Sequence, residues 1–340
     1  MTLQLLLGTV VLAWSTTVSA RKPGINSVFV ALQGSPWNAT RWATLVADLK
    51  AINVSNVIIA DAVTDSVAWY PSVIAGLTYD GVDVLEMALA AADAGGVSVY
   101  MGMLLPANWF HHGAMNATYL TQLTGRVNAI ATELHSLYGR RHRSLRGFYH
   151  AAEVYSTCCE SSTTRCDAAH IKALGSMLEP TGQLVHELDS SYQYVLAPFA
   201  VNVSTAETTW WASLLALTPS VDIVAFQDGV GVSQSKPLTR SPQQASELIA
   251  AVAEALPTGM QMWTDMEIFS KLTTRNGTRY LVAPTARFIE QLELEAPFVQ
   301  GQTIWEFTHF MDPHGCRHGS QSDCLRLYND YKRYLEVRGV

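Results

Sequence analysis

Six carboxylic acids stand at the C-terminal ends of short apolar runs in this chain: Asp61, Glu153, Asp228, Asp265, Glu267 and Glu306. A carboxyl group in an apolar setting is costly to ionise unless it is paired or hydrogen-bonded. One such residue reads as structural, but six at equivalent positions point to a working surface. The fourth run, Gly147-Phe148-Tyr149-His150-Ala151-Ala152-Glu153-Val154-Tyr155, places Tyr149, Ala151, Glu153 and Tyr155 on one face of an extended strand. The seventh, Gln261-Met262-Trp263-Thr264-Asp265-Met266-Glu267, places Gln261, Trp263, Asp265 and Glu267 on one face and both methionines on the other. Two carboxyls facing each other across a cleft suit hydrolysis of a glycosidic bond: one holds a proton for the leaving group, and the other is the nucleophile or activates water. Glu153 and Glu267 are the pair expected to do this. A separation of about 5–5.5 Å would imply retention and about 6.5–9.5 Å inversion.

A sugar-binding cleft also needs aromatic rings, because the C–H faces of sugars pack on them. Trp37, Trp69, Trp109, Trp263 and Trp305, with Tyr155, all fall at or just beyond the ends of the apolar runs. Gln227, Asp228, Asp265 and Glu306 complete the expected substrate contacts, although Asp228, in Gln227-Asp228-Gly229-Val230-Gly231, suits a buttress of a glycine-rich turn equally well. His150, His309 and His314 together with Asp228 define an alternative, a metal-dependent hydrolase or deacetylase, but a strand histidine is more often a hydrogen-bonded structural residue. His111-His112 reads as a loop lining, and no Gly-x-Ser-x-Gly elbow marks an acyl-serine hydrolase. The expected chemistry requires no cofactor and no metal.

These residues must be positioned by a regular scaffold. Strand-like runs at 27–33, 55–62, 97–105, 146–154, 193–201, 221–228, 260–267 and 301–308 alternate with helix-period stretches near 38–51, 81–94, 117–139, 167–190, 205–217, 241–256, 284–296 and 322–337. Eight strand–helix repeats over about 300 residues without a linker predict one (β/α)8 barrel spanning 21–340, with the acids gathered at the C-terminal ends of its strands. Asp80 and Asp83 before the second helix, Ser241-Pro242 before the sixth and Pro284 before the seventh punctuate the helix starts. Gln33-Gly34-Ser35-Pro36-Trp37 follows the first strand where a dinucleotide fold would carry its glycine fingerprint.

The 340 residues carry 22 basic and 29 acidic side chains, a net charge of −7, and only 15% of the chain is charged while 49% is hydrophobic. This balance excludes a disordered chain and argues against a nucleic-acid partner. Residues 1–20, with an apolar run over 4–13 and Val18-Ser19-Ala20 at its end, read as a secretory leader although the basic start is missing; the mature chain is expected to begin at Arg21. The run is too short to span a bilayer, and no stable membrane insertion is expected. Sequons at Asn38, Asn53, Asn116, Asn202 and Asn276 suit a glycosylated secreted or luminal protein. The cysteines fit an oxidising compartment, with Cys316–Cys324 and one of Cys158 or Cys159 with Cys166 as local bridges; adjacent cysteines without a histidine at ligand spacing make zinc a poor alternative.

Four segments carry a family resemblance: Gly147-Phe148-Tyr149 leading to Glu153, Phe226-Gln227-Asp228-Gly229-Val230-Gly231, Trp263-Thr264-Asp265-Met266-Glu267-Ile268-Phe269, and His309-Phe310-Met311-Asp312-Pro313. Over about residues 25–315 the chain resembles the TIM-barrel proteins grouped as domain of unknown function 4434, regarded as glycoside-hydrolase-like. More distantly it is similar to retaining (β/α)8 glycosidases, in which a strand-four Glu is acid/base and a strand-seven Glu is nucleophile. By position, that resemblance implies Glu153 as acid/base and Glu267 as nucleophile, with Asp265 an alternative nucleophile. Those enzymes commonly place Asn before the strand-four Glu, whereas Ala152 stands here. A carbohydrate-binding barrel without catalysis is the reading this departure favours.

Overall fold

A computed structural model describes residues 22–34, 36–109, 116–156, 168–201, 203–232, 240–275 and 277–339. The expected leader, His111-His112, Cys158, Cys159, Cys166, Asn202 and Asn276 lie outside the described residues.

Eight parallel strands form one sheet in chain order: β1 (Ser27–Val30), β2 (Asn56–Ile59), β3 (Ser98–Gly102), β4 (Leu145–His150), β5 (Gln193–Leu196), β6 (Ile223–Gln227), β7 (Gln261–Glu267) and β8 (Gly301–Trp305). The ends meet where Asn26 N donates to Gln302 O at 2.9 Å and Gln302 N donates to Asn26 Oδ1 at 2.7 Å. The helices between and after the strands are α1 (Ala39–Lys50), α2 (Val84–Gly95), α3 (Ala117–Leu134), α4 (Ala168–Leu188), α5 (Thr205–Ala216), α6 (Pro242–Glu254), α7 (Thr285–Glu295) and α8 (Gln321–Arg338). This is the expected (β/α)8 barrel. Among the described residues, no helix is long and apolar enough to cross a membrane.

Alternation along the strands builds two cores. Phe29, Ile58, Tyr100, Tyr149, Val195, Ile223, Ala225 and Trp263 fill the barrel interior. Their neighbours Val28, Val30, Val57, Phe148, Tyr194, Val224, Phe226, Met262 and Met266 pack outward with the helices. Strands buried on both faces must be apolar on both, which is why the parallel runs are nearly continuous in hydrophobicity. Polar side chains close the helix starts: Asn38, Asp83, Asn116, Ser204, Ser241 and Ser320 each accept a backbone N–H of the first turn.

The regular strands end sooner than the apolar runs that predict β1 to β5 and β8. Ala60, Ala62, Ala151, Ala152 and Val154 continue the hydrophobic pattern because the rim loops they begin are themselves buried. Two additions have no counterpart in the sequence reading. An antiparallel hairpin, Phe269–Thr274 with Gly277–Val282, rises after β7, and short pairings over Val63–Thr64, Val67–Ala68, Thr78–Tyr79 and Leu104–Leu105 form a small sheet above β2 and β3. At the C-terminal end of β3 the chain passes so close to its neighbour that a β-carbon on Gly102 would lie 2.2 Å from the Ala60 carbonyl oxygen. Gly102→Ala is therefore expected to destabilise the barrel by about 1–3 kcal/mol, read from the midpoint of urea unfolding; an unchanged midpoint would mean that the β2 and β3 rims part freely.

Candidate active site

A cavity of about 410 Å³ opens at the C-terminal ends of the strands. Asp61, Tyr149, Glu153, Gln227, Asp265, Glu267 and Trp305 line its barrel side. Phe269, Tyr280, His309, Phe310, Arg317 and His318 line its rim.

The acids of β7 arrive there by strand parity. Trp263 faces the barrel interior, its ring edge-on to Tyr100 with centroids 6.3 Å apart, and Asp265 and Glu267 follow it toward the cavity at steps of two. Register sets Gln227 beside Asp265 and Trp305 beside Glu267. Glu267 Oε2 accepts the Val232 amide at 2.7 Å, while its own backbone N donates to Asp228 Oδ1 at 3.1 Å. Glu153 lies three residues beyond the end of β4, and its carbonyl accepts the indole N–H of Trp109. Gln227 Nε2 donates to Glu153 Oε2 at 3.1 Å and to Ala197 O at 3.1 Å, so both amide protons are used and the side chain is held in one orientation.

Burial dominates the electrostatics. It raises the Glu153 carboxyl above the usual range, opposed by the Gln227 hydrogen bond. Burial and then the neighbouring Asp228 push Glu267 up to about 8. Asp265 is raised well above its ordinary value by burial and then by Asp228, Glu267 and Glu153, and its Oδ1 finds no hydrogen-bond partner among the described residues. Asp61 is raised by burial against its bond from the Thr64 hydroxyl. Buried carboxyls resist ionisation and crowded ones oppose one another's, which is why all four are raised.

Five of the expected catalytic and substrate-contact residues thus meet in the cavity, Glu153, Glu267, Asp265, Gln227 and Trp305, and Asp61 of the six rim acids joins them. The others do not line it. Asp228 is fully buried behind β7, accepting the Val230 amide at 3.1 Å, the Glu267 amide and the Gln291 side chain, so it buttresses instead of facing the cavity. Glu306 sits one residue past β8, where strand parity turns it away. It caps the helical turn Phe307–Phe310 and accepts Ala31 N at 2.8 Å, tying β8 to β1. Burial raises Glu306 to about 7 against these amide bonds. Trp109 acts on the Glu153 backbone, and Trp263 lies below the cavity. Trp37 stacks on Trp42 at 4.2 Å between ring centroids and donates to Leu32 O. Tyr155, expected on the Glu153 face, instead bridges to Phe199 because the strand has already ended at His150.

The alternative metal set does not assemble. His150 faces the helical layer and meets Tyr194 Oη at 2.8 Å, and His314 pairs with Asp48 at 3.2 Å. Among the described residues no three His, Cys, Asp or Glu side chains converge as a metal site. Cys316 and Cys324 are disulfide-bonded, as expected from their spacing. The rim residues Phe269, Tyr280, Arg317 and His318 escaped the sequence reading, since they come from a hairpin and a loop that no periodicity announces.

An eight-stranded parallel barrel with a carboxyl-lined cavity over the C-terminal ends of its strands has the architecture of the (β/α)8 glycosidases. The family profile described as domain of unknown function (DUF4434) matches residues 29–317, and the chain belongs to that family. No curated protein matches the sequence. Among solved structures, it is similar to a candidate alpha-L-fucosidase from Bacteroides thetaiotaomicron VPI-5482, with 19% identity over 98% of this chain and 99% of that one and a TM-score of 0.73. It also resembles the endo-1,4-beta-mannanase of Rhizomucor miehei (14% identity, 94% and 97% coverage, TM-score 0.60). A third likeness is to a thermostable mutant of the Cellvibrio japonicus xylanase Xyn10A (12%, 92% and 98%, 0.56). At these identities the likeness is one of fold.

The raised Glu267 has a measurable consequence. The folded protein keeps a proton there up to about pH 8, whereas the unfolded chain releases it near its ordinary value. Stability therefore falls as pH rises through that window, because the folded state binds the extra proton. Glu267→Gln is expected to flatten part of this fall in a series of thermal melts from about pH 5 to 8; an unchanged slope would show that Glu267 ionises normally.

Proposed function

We propose that this protein is a secreted glycoside hydrolase that cleaves a polysaccharide or glycoconjugate with two carboxyl groups and no cofactor. The observation that carries the reading is the convergence of Glu153, from beyond β4, and Glu267, from the end of β7, on one cavity with an aromatic rim. Glu153, whose carboxyl burial raises above the usual range, is the acid/base. It protonates the departing glycosidic oxygen and, where Glu267 has formed a glycosyl-enzyme bond, later deprotonates the water that breaks it. Glu267, joined to Val232 N, is the nucleophile or the base that activates water, and it must lose its proton to serve. Gln227 orients Glu153, and Trp305 offers a face to the sugar ring. The similar structures, a candidate fucosidase, a mannanase and a xylanase, support this class of reaction.

Purified protein tested on a broad glycan panel should release reducing ends. Glu153→Gln and Glu267→Gln should each lower kcat by roughly 10²–10⁴-fold. Loss at Glu153→Gln should be much smaller on aryl glycosides whose leaving group needs no proton, and loss at Glu267→Gln should not depend on the leaving group. The reverse pattern exchanges the two roles. Full turnover by both variants overturns the assignment, and glycan binding without any turnover makes the protein the non-catalytic binding barrel that Ala152 suggests.

Secretion and glycosylation belong to the same proposal. Asn38 and Asn116 are exposed and use their side-chain oxygens to cap α1 and α3, a role a glycan on the amide nitrogen does not displace. Expressed in a eukaryotic secretory host, the protein should appear in the medium with Arg21 at its N-terminus and lose mass on treatment with an N-glycan-removing amidase; retention inside the cell with residues 1–20 intact would reject both.

A further inference from the structure

The cavity floor is acidic, yet its mouth carries one permanently charged cation, and that cation is held in place. Arg317 is exposed and is the single Lys or Arg among the described residues lining the cavity. Its guanidinium lies over Gly34, where a β-carbon would come within 2.7 Å of it; Gly34 also has φ +73, a conformation that favours glycine. Nη1 donates to the Gln33 carbonyl and, at 3.3 Å, to His309 Nε2. An arginine can only donate, so His309 Nε2 is the acceptor and the ring carries its proton on Nδ1, which lies 3.5 Å from Glu306 Oε2. Burial, and then the like charges of His318 and Arg317, hold His309 neutral by lowering it to about 3. The Cys316–Cys324 disulfide closes the short loop that carries Arg317 and His318.

Nη1 is thus fully used, while no carboxylate among the described residues pairs with Arg317 and its Nε and Nη2 edge has no protein partner there. A guanidinium fixed before any ligand arrives, with one two-donor edge left over, matches the planar, bidentate geometry of an oxyanion. Preorganisation lowers the ordering cost of such a contact. Phe269, Tyr280 and Phe310 share the cavity lining with it, and Phe310 stacks on the His318 ring with centroids 5.8 Å apart, so aromatic rings and this one cation meet at the mouth.

We propose that Arg317 forms an anion subsite and that the glycan this protein takes carries an acidic substituent, a uronic carboxylate or a sulfate ester, on a sugar seated at the cavity mouth. The inference rests on the glycan-binding part of the function proposed above and deepens it. Gln33, Gly34 and His309 position the guanidinium, and Arg317 alone makes the contact.

The test is a binding titration by saturation-transfer NMR. Its probes are D-glucuronic acid, D-galacturonic acid and D-glucose 6-sulfate, with D-glucose and D-galactose as neutral parents. Wild type should prefer at least one acidic sugar over its parent, and Arg317→Gln should weaken that sugar roughly tenfold or more while leaving the parent within about twofold, the loss of one charge-assisted pair. Added salt should erode the preference in wild type and leave Arg317→Gln unaffected. Gly34→Ala, which displaces the guanidinium without removing it, should act in the same direction; because Arg317 is exposed, Arg317→Gln remains a folded test should Gly34→Ala fail to fold. The uronates and the sulfate separate the two oxyanions. Equal binding of acidic and neutral sugars, a preference that survives Arg317→Gln, or no binding of any acidic sugar overturns the subsite. Acidic-sugar binding without turnover on any glycan keeps the subsite and rejects hydrolysis, whereas turnover of neutral glycans indifferent to Arg317→Gln does the reverse.

Discussion

The structure depends on how acids are buried at the rim of a closed, apolar barrel. Removing a carboxylate from water is unfavourable unless donors replace the water, and at the strand ends the nearest donors are the backbone amides of the next element. Three of the buried acids therefore join two pieces of chain. Glu306 accepts from Ala31 and His309 and so ties the last strand to the first. Asp228 accepts from Val230 and from Glu267 N, fastening the end of β6 to the end of β7. Glu267 accepts from Val232 and draws the loop after β6 toward the cavity.

The same rule separates acids that join elements from acids that line the cavity. Asp228 and Glu306 have several donors and no access to the cavity, so their charge is spent on architecture. Glu153 has one donor on its side chain, Gln227, and Asp265 has an oxygen with none among the described residues. These under-served carboxyls face the cavity, and burial with few donors to offset it raises both above their ordinary range. Asp228 also acts at a distance: after burial, its charge is what most raises Glu267 on the cavity side of the strand.

Much of this was legible beforehand. Eight strands, eight helices and their order follow from hydrophobic period and from the helix-start residues Asp83, Ser241 and Pro284, which act locally. Parity along β7 placed Trp263, Asp265 and Glu267 on the interior side, because that strand stays regular to its last residue. Parity failed at Tyr155, because the strand had already ended at His150 and the chain turned before the ring was reached; at Glu306 parity held and turned the acid away from the cavity. The tryptophans misled for a related reason: Trp37 and Trp109 are as apolar in a loop packed on the barrel as they would be beneath a sugar, and composition does not separate the two.

By itself, then, the sequence determined the barrel, the clustering of acids at one rim and the identity of the two glutamates that meet in the cavity. These rest on short-range periodicities that survive without knowledge of the neighbours. Only the tertiary structure decided which acids are joints and which are free, how far each carboxyl is driven toward its protonated form, and that a hairpin and a disulfide-closed loop bring Phe269, Tyr280, Arg317 and His318 over the same cavity. Burial, hydrogen-bond supply and charge proximity are properties of residues far apart in the chain, and folding alone brings them together.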